Sequence, residues 1–412
     1  LSEAGSDDVA AAVRLLRDPA TIRERCRAIA AAVTRGASPH FTIDRDALPA
    51  VAERVAVLTR ARFPDLSTIP YHSRWRHFEA GGVDRKAELD AALAGRGTAD
   101  VARARIDLTL VSVLLDAGAG PTWRYREANG ATYTRSEGLA VATFRAFVDG
   151  RFSSSPDDPY RVDARALATL DAATLASVFQ VDDDNPLVGL DGRTDLMHRL
   201  ARALTDRPAT FGDDGRPGLL FDALSARSNS IAAAEILVAL LDAFSTIWPS
   251  GRSFAGVAVG DVWPHLHADG DGASAGLVPF HKLSQWLSYS LLEPFEWAGV
   301  AVTGLDALTG LPEYRNGGLL LDAGVIVPRD ATMLARPMTP DDPWIIEWRA
   351  LTVALLDELA PLVRALLGVT ESVLPLARIL EGGTWAAGRA IAAERRVGGP
   401  PPVTVVSDGT VF

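Results

Sequence analysis

Residues 278–327 read VPFHKLSQWLSYSLLEPFEWAGVAVTGLDALTGLPEYRNGGLLLDAGVIV. From His281 to Trp297 the spacing predicts a helix. Lys282, Gln285, Tyr289 and Glu293 recur at i, i+3, i+7 and i+11 and so share one face. Leu283, Trp286, Leu287, Leu291 and Leu292 make the rest of the helix apolar. Such a stripe either faces solvent or lines an enclosed polar pocket. A turn-rich link follows, then a second helix, LPEYRNGGLLLDAG, in which Pro312 is a favoured first-turn residue. Glu313 falls in that first turn, where the helix dipole and Arg315 favour its ionised form. Gly317-Gly318 inside this helix costs about 1 kcal/mol per residue against Ala, which close packing or ligand approach would offset.

Outward from this stretch the pattern stays helical. Residues 7–35 read as two helices broken at Asp18-Pro19, and residues 46–62 as a third that ends at Phe63-Pro64-Asp65. Residues 99–116 form an apolar helix. TWRYREANGATYT then alternates around Asn129-Gly130, a hairpin signal. The next helix opens near Ser136 and closes at Gly150, with Glu137 in its first turn. Amphipathic helices occupy 163–205, Ile231 to Trp248 reads as one long apolar helix, and 260–276 reads as a loop. Trp344 to Leu367 and Glu371 to Arg395 are long amphipathic segments, and VTVVSDGTVF closes the chain in extended form with its terminus docked. The expected fold is therefore mainly α: one multi-helical domain over 1–412, or two lobes at 1–160 and 161–412. A small β-hairpin and an extended C-terminal segment complete it.

Composition narrows the functional classes. A net charge of −11 disfavours a dedicated nucleic-acid binder, which needs clustered Lys and Arg for phosphate contacts. No apolar run reaches the roughly 18 residues of a membrane span. The N-terminal LSEAGSDD lacks a basic-then-apolar signal pattern. One cysteine, Cys26, excludes an internal disulfide and a cysteine zinc site, and fits a cytoplasmic protein. There is no GxGxxG after a strand, no Walker loop and no GxSxG.

Two further groups of residues carry chemistry. IPYHSRWRHFEAGGVDR, 69–85, is dense in aromatics, His and Arg. It is either a surface loop or a grip in which His72, Arg74, Arg76 and His77 hold an anion between Tyr71, Trp75 and Phe78. His265 and His267 suggest a metal, and the DxDG run Asp269 to Gly272 resembles a calcium loop, but Val278 stands where its closing Glu belongs. An ionised Glu313 suits a reaction whose transition state carries positive charge. Cleavage of a riboside C1′ bond is one, passing through an oxocarbenium-like state. A purely structural helix start would look the same.

PYHSRWRHFEAGG, RSEGLAVATFRAFVDGRFS, VPFHKLSQWLSYSLLEP, LTGLPEYRNGGLLLDAGV, GGTWAAGR and SDGTVF resemble the uracil-catabolism protein family of the Urc/Urg pathway over nearly the whole chain. That pathway opens the uracil ring after conversion to a nucleotide or nucleoside, passes through a ribosylurea-type intermediate and later yields urea. A more distant resemblance is to the queuosine salvage N-glycosidases, whose fold is helical and DNA-glycosylase-like. Lys282 and Gln285 match that family's Lys-Arg-Ala-Gln motif. Glu313, Tyr314 and Arg315 match its Ala-Asp-Tyr-Arg motif, with Glu in place of Asp. Trp123 matches its aromatic base-contacting segment more weakly.

Together the resemblances imply an N-riboside hydrolase acting on ribosylurea or its 5′-phosphate, without metal or cofactor. Glu313 and Lys282 would be catalytic. His281, Gln285, Tyr314, Arg315, Trp123, Glu137, His72, Arg74, Arg76 and His77 would bind the substrate. The implied partner is a small riboside or ribotide, with no nucleic acid and no membrane. The alternatives are a uracil phosphoribosyltransferase, which conflicts with the missing pyrophosphate loop, and a non-enzymatic partner of other pathway enzymes.

Overall fold

A computed structural model describes residues 6–248 and 251–406. It is mainly helical. Among the described residues the sheets are five two-stranded pairings, and no helix is long and apolar enough to cross a membrane. The chain divides into two compact units, each built from separated stretches. The first takes the chain up to His72, Arg252–Gln285 and Gly304–Val406; the second takes Ser73–Gly251 and Trp286–Thr303. The lobes expected at 1–160 and 161–412 make a different cut, because residue 160 lies inside the second unit. Non-local pairing is the reason. Phe41–Ile43 pairs antiparallel with Ile326–Pro328, and Ser230–Ala232 pairs parallel with Ala301–Thr303. A cut at 160 would separate the partners of the first pairing.

The first unit forms around the helix Pro343–Leu367, which packs against Pro19–Thr34 and Leu48–Arg62. Asp342 caps it by accepting the Trp344 N–H at 2.9 Å, Pro343 sits at its first position, and Gly368 closes it in the left-handed region. The Asp18-Pro19 break is a helix start of the same kind, with the Asp18 carboxylate accepting from Ala20. Glycines permit the close approaches. A Cβ on Gly317 would lie 2.6 Å from the Trp348 ring, and one on Gly388 only 2.2 Å from the Arg315 carbonyl oxygen. Gly317 therefore offsets its helical cost by close packing. Gly388 lets the helix Trp385–Arg395 ride directly on the helix Tyr314–Asp322.

In the second unit the helix Thr98–Leu114 is buried on nearly every side, as its all-round apolar sequence requires. The predicted hairpin is present, Tyr125–Arg126 against Thr132–Tyr133, with Gly130 at φ +86°. The helix Arg135–Val148 follows it.

Some elements differ from expectation. Ser230–Ala232 is strand, and the helix predicted from Ile231 runs over Ala233–Phe244; pairing with Ala301–Thr303 overrides local propensity there. The stretch 260–276 is not a plain loop, since Val262–Pro264 pairs with Leu277–Pro279. The segment from Glu371 becomes helical only at Leu376, and a π-helical turn, Leu380–Thr384, interrupts it before Trp385. The C-terminal strand-like piece reaches the Met338 backbone through Thr404 and Val406. The Asp408-Gly409 turn and Phe412 lie outside the described residues.

Candidate active site

Glu313 is the N-cap of the helix Tyr314–Asp322 rather than a residue of its first turn. N-caps are usually Ser, Thr, Asp or Asn. The longer glutamate bridges two positions: one carboxylate oxygen accepts the Arg315 N–H at 2.7 Å and the other the Asn316 N–H at 2.6 Å. The residue is 7% exposed. Burial pushes its carboxyl above the usual carboxylate range, and the two N–H bonds, Lys282 and His72 oppose the shift without cancelling it. This corrects the expectation that the helix start and Arg315 would favour the ionised form. Desolvation is the larger effect. The Arg315 side chain is also engaged elsewhere, donating to the Gly399 carbonyl at 3.0 Å and lying over the partly exposed Tyr314 ring.

Lys282 is the first residue of its helix, and three neighbours fix that start. Asp261 accepts the Lys282 N–H at 3.0 Å. Arg349 grips Asp261 through both carboxylate oxygens at 2.7 and 2.8 Å, and Trp263 Nε1 donates to it at 2.6 Å. Burial alone would raise the Asp261 carboxyl, but the Arg349 guanidinium brings it down to about 2. His281 adopts φ +47°, an uncommon value for a residue with a Cβ. Its buried ring contacts the Leu16 carbonyl through Nε2 at 2.8 Å, and burial lowers its proton affinity. His281 is thus a structural pivot, not a substrate contact.

Gln285 connects the two halves of the motif. Its amide oxygen accepts the Thr309 N–H at 2.9 Å, and its amide nitrogen donates to Thr309 Oγ1 at 2.8 Å and the Phe280 carbonyl at 3.0 Å. It clamps the Lys282 helix to the segment leading into Glu313. The polar stripe is accordingly not a solvent face: Gln285 and Tyr289 are wholly buried and Glu293 nearly so. Nor does it line one pocket, because Glu293 is taken up in the second unit by Ser73 Oγ at 2.7 Å and Arg76 at 2.9 Å.

His72 joins Glu313 and Lys282 in the first unit. Its Nδ1 lies 2.9 Å from a carboxylate oxygen of Glu381, whose other oxygen accepts from Arg62 at 3.2 Å. Glu381 sits on the π-helical turn, a feature frequent at functional sites. The sequence reading missed both Glu381 and Asp261. The signal for the first was Gly382-Gly383 inside a supposed helix; for the second it was an Asp just before a helix start, hidden in an apparent loop.

The remaining predicted residues belong to the second unit. Arg74 is wholly buried, donating to Ser112 Oγ at 2.8 Å, Asp116 at 2.5 Å and the Ser136 carbonyl at 3.2 Å, with His77 Nδ1 at 3.1 Å. Burial lowers its proton affinity, while Asp116 and then Glu137 counter that. Arg76 is paired with Glu293 and Glu79. Trp75 and Phe78 are core residues. The 69–85 stretch is therefore neither a surface loop nor a single anion grip. Its short helix Arg74–Phe78 is buried, and its basic side chains are divided among separate partners. Trp123 is core as well: its ring is 1% exposed, and Nε1 donates to the Phe179 carbonyl at 2.9 Å. Its reading as a base contact fails because ring and N–H are both used internally. His265 contacts Glu347 through Nε2 at 3.4 Å.

The structure is thus a mainly helical protein whose first unit holds a buried carboxyl at a helix start, with Lys282 and His72 acting on its charge and Glu381 paired to His72. The chain belongs to the family described as protein of unknown function (DUF1688), whose model matches residues 15–412. It is 40% identical over 411 residues to "Uracil catabolism protein 4" of Lachancea kluyveri, covering 92% of this chain and 93% of that protein. It is 42% identical over 379 residues to "Protein urg3" of Schizosaccharomyces pombe, covering 90% and 92%.

Proposed function

We propose that this protein serves uracil catabolism as an N-riboside hydrolase, cleaving ribosylurea or its 5′-phosphate to urea and ribose or ribose phosphate. The observation that carries the reading is Glu313. It is a carboxyl withdrawn from water, held by two backbone N–H groups, and influenced by Lys282 and His72 rather than by a guanidinium partner. A pre-positioned anion of this kind lowers the barrier to an oxocarbenium-like state and costs no reorganisation as the charge develops. The pathway assignment rests on the L. kluyveri relative, which is named for uracil catabolism.

In the reaction the C1′–N bond breaks with its electron pair moving to the urea nitrogen. Water supplies oxygen to C1′, and one of its protons balances the leaving nitrogen. Glu313 stabilises the cationic sugar or orients the water, and Lys282 steadies the carboxylate. Incubation of the purified protein with ribosylurea and with its 5′-phosphate, followed by assay of free urea, tests the reading. Folded protein that releases urea from neither substrate would reject it.

A further inference from the structure

The hydrolysis proposed above lacks one part. Urea leaves poorly as an anion, so a proton must reach its nitrogen as the C1′–N bond breaks. Glu313 is badly suited to that task, since both its oxygens accept backbone N–H bonds at 2.6–2.7 Å. Lys282 is needed as a cation beside it. We infer that His72 is the general acid and that Glu381 is the residue that positions it. This inference rests on the hydrolase reading.

The geometry is that of an oriented imidazole. Glu381 engages Nδ1 at 2.9 Å, so the carboxylate holds the proton on that nitrogen and directs Nε2 away from it. Arg62 fixes Glu381 in turn, donating to its carboxylate at 3.2 Å and to the neighbouring Gly382 carbonyl at 3.0 Å. The His72 N–H donates to the Ala377 carbonyl at 2.9 Å, which anchors the backbone. His72 keeps 6% of its surface open, whereas a purely internal histidine of this fold, His281, keeps 1% and has its Nε2 on a carbonyl. His72 also stands near enough to Glu313 to pull that carboxyl's proton affinity down. The π-helical turn brings a glutamate to this position, where a regular helix would place it differently.

The step balances. His72 enters the step as the imidazolium, with Nδ1–H on Glu381, and its Nε2–H proton goes to the urea nitrogen as the C1′–N pair moves there. Water then bonds to C1′ and returns a proton to Nε2. Urea and ribose, or ribose phosphate, leave with the imidazolium restored, and Glu313 acts as the anion throughout.

Leaving-group dependence tests the assignment. A 4-nitrophenyl β-riboside departs as a stable phenolate and needs no acid, whereas ribosylurea does. His72→Gln should lower kcat for urea release by roughly 10²–10⁴-fold and change turnover of the nitrophenyl riboside by less than about tenfold. Glu381→Gln should show the same asymmetry at a smaller scale, roughly 10–100-fold on the urea substrate, a range borrowed from supporting partners of other functional histidines. Glu313→Gln should impair both substrates. Equal losses on the two substrates, or no loss, in folded His72→Gln would overturn the inference while the hydrolase reading stood. If wild-type protein turned over neither substrate, the hydrolase reading would fall and this inference with it. Far-UV circular dichroism and Tm of each variant separate these outcomes from misfolding.

Discussion

Two carboxyl groups of the first unit each hold the start of a different helix, and their proton affinities shift in opposite directions. Asp261 accepts the Lys282 N–H and is brought down to about 2, against the pull of burial, by a two-point grip from Arg349. Glu313 accepts two N–H groups of its own helix and is pushed up by burial, because its cationic neighbours act without a guanidinium clasp. Backbone N–H bonds alone do not offset desolvation here; an opposed guanidinium does. Asp261 is thus a neutralised structural ion, while Glu313 has Lys282 and His72 rather than a guanidinium acting on it, which the hydrolase proposal assigns to a developing sugar cation. Strongly desolvated groups left in this state tend to mark functional sites.

The sharpest way to break the comparison is Glu313→Gln. Loss of a pre-positioned anion at a developing cation should reduce kcat for urea release by roughly 10²–10³-fold, the scale of a lost electrostatic stabiliser. Stability should move the other way. A carboxyl with a raised folded pKa contributes stability that is full below its unfolded pKa and is lost as pH rises through the folded pKa. At neutral pH the neutral amide should therefore leave Tm unchanged or slightly raised. A variant with full activity, or one that unfolds, would show that Glu313 is only a helix cap.

Asp261→Asn should do the reverse. It removes the carboxylate that Arg349 grips at two points, a loss on the scale of about 3–5 kcal/mol for breaking a buried pair. Denaturant unfolding at neutral pH reads this directly. In the wild type the depressed carboxyl contributes stability that is present above its unfolded pKa and is lost as pH falls through about 2. The Asn variant should accordingly be less stable than wild type at neutral pH, with the gap closing in acid. An unchanged midpoint would mean that Arg349 finds another partner.

Lys282→Met sharpens the comparison from the other side. In the proposed mechanism Glu313 acts ionised, so kcat/KM should fall as pH drops through its raised pKa, giving an acid limb above the usual carboxylate range. Lys282 lowers that pKa, so its removal should move the limb to higher pH as well as reduce the neutral-pH rate. A limb that stays in place would separate the lysine from the carboxyl.

These two carboxyl groups also mark where sequence reading works. Glu313 was visible because a carboxylate after proline, ahead of an apolar helical pattern, is a local signal. Its raised proton affinity was not, because desolvation depends on packing such as Gly388 against the Arg315 backbone. The helices were legible wherever apolar spacing ran long, as in Pro343–Leu367. The strands Ser230–Ala232 and Val262–Pro264 were not, since each is three residues long and is defined by a distant partner. Glu381 escaped for a similar reason: its partner His72 lies more than three hundred positions away in the chain, and the π-helical turn that presents it has no simple period.

The smallest effect tests a residue that the structure moves out of the site. Trp123 was expected to touch the substrate, yet its ring packs over Gly138, where an added Cβ would meet it at 2.8 Å, and Nε1 donates to the Phe179 carbonyl. Trp123→Phe keeps most of the apolar volume and removes one buried hydrogen bond. The Phe179 carbonyl loses its donor, so the expected cost is about 1–3 kcal/mol of stability. KM and kcat for urea release should stay within about twofold, because a core residue acts on the reaction only through the fold. A rise in KM without loss of stability would return Trp123 to the substrate.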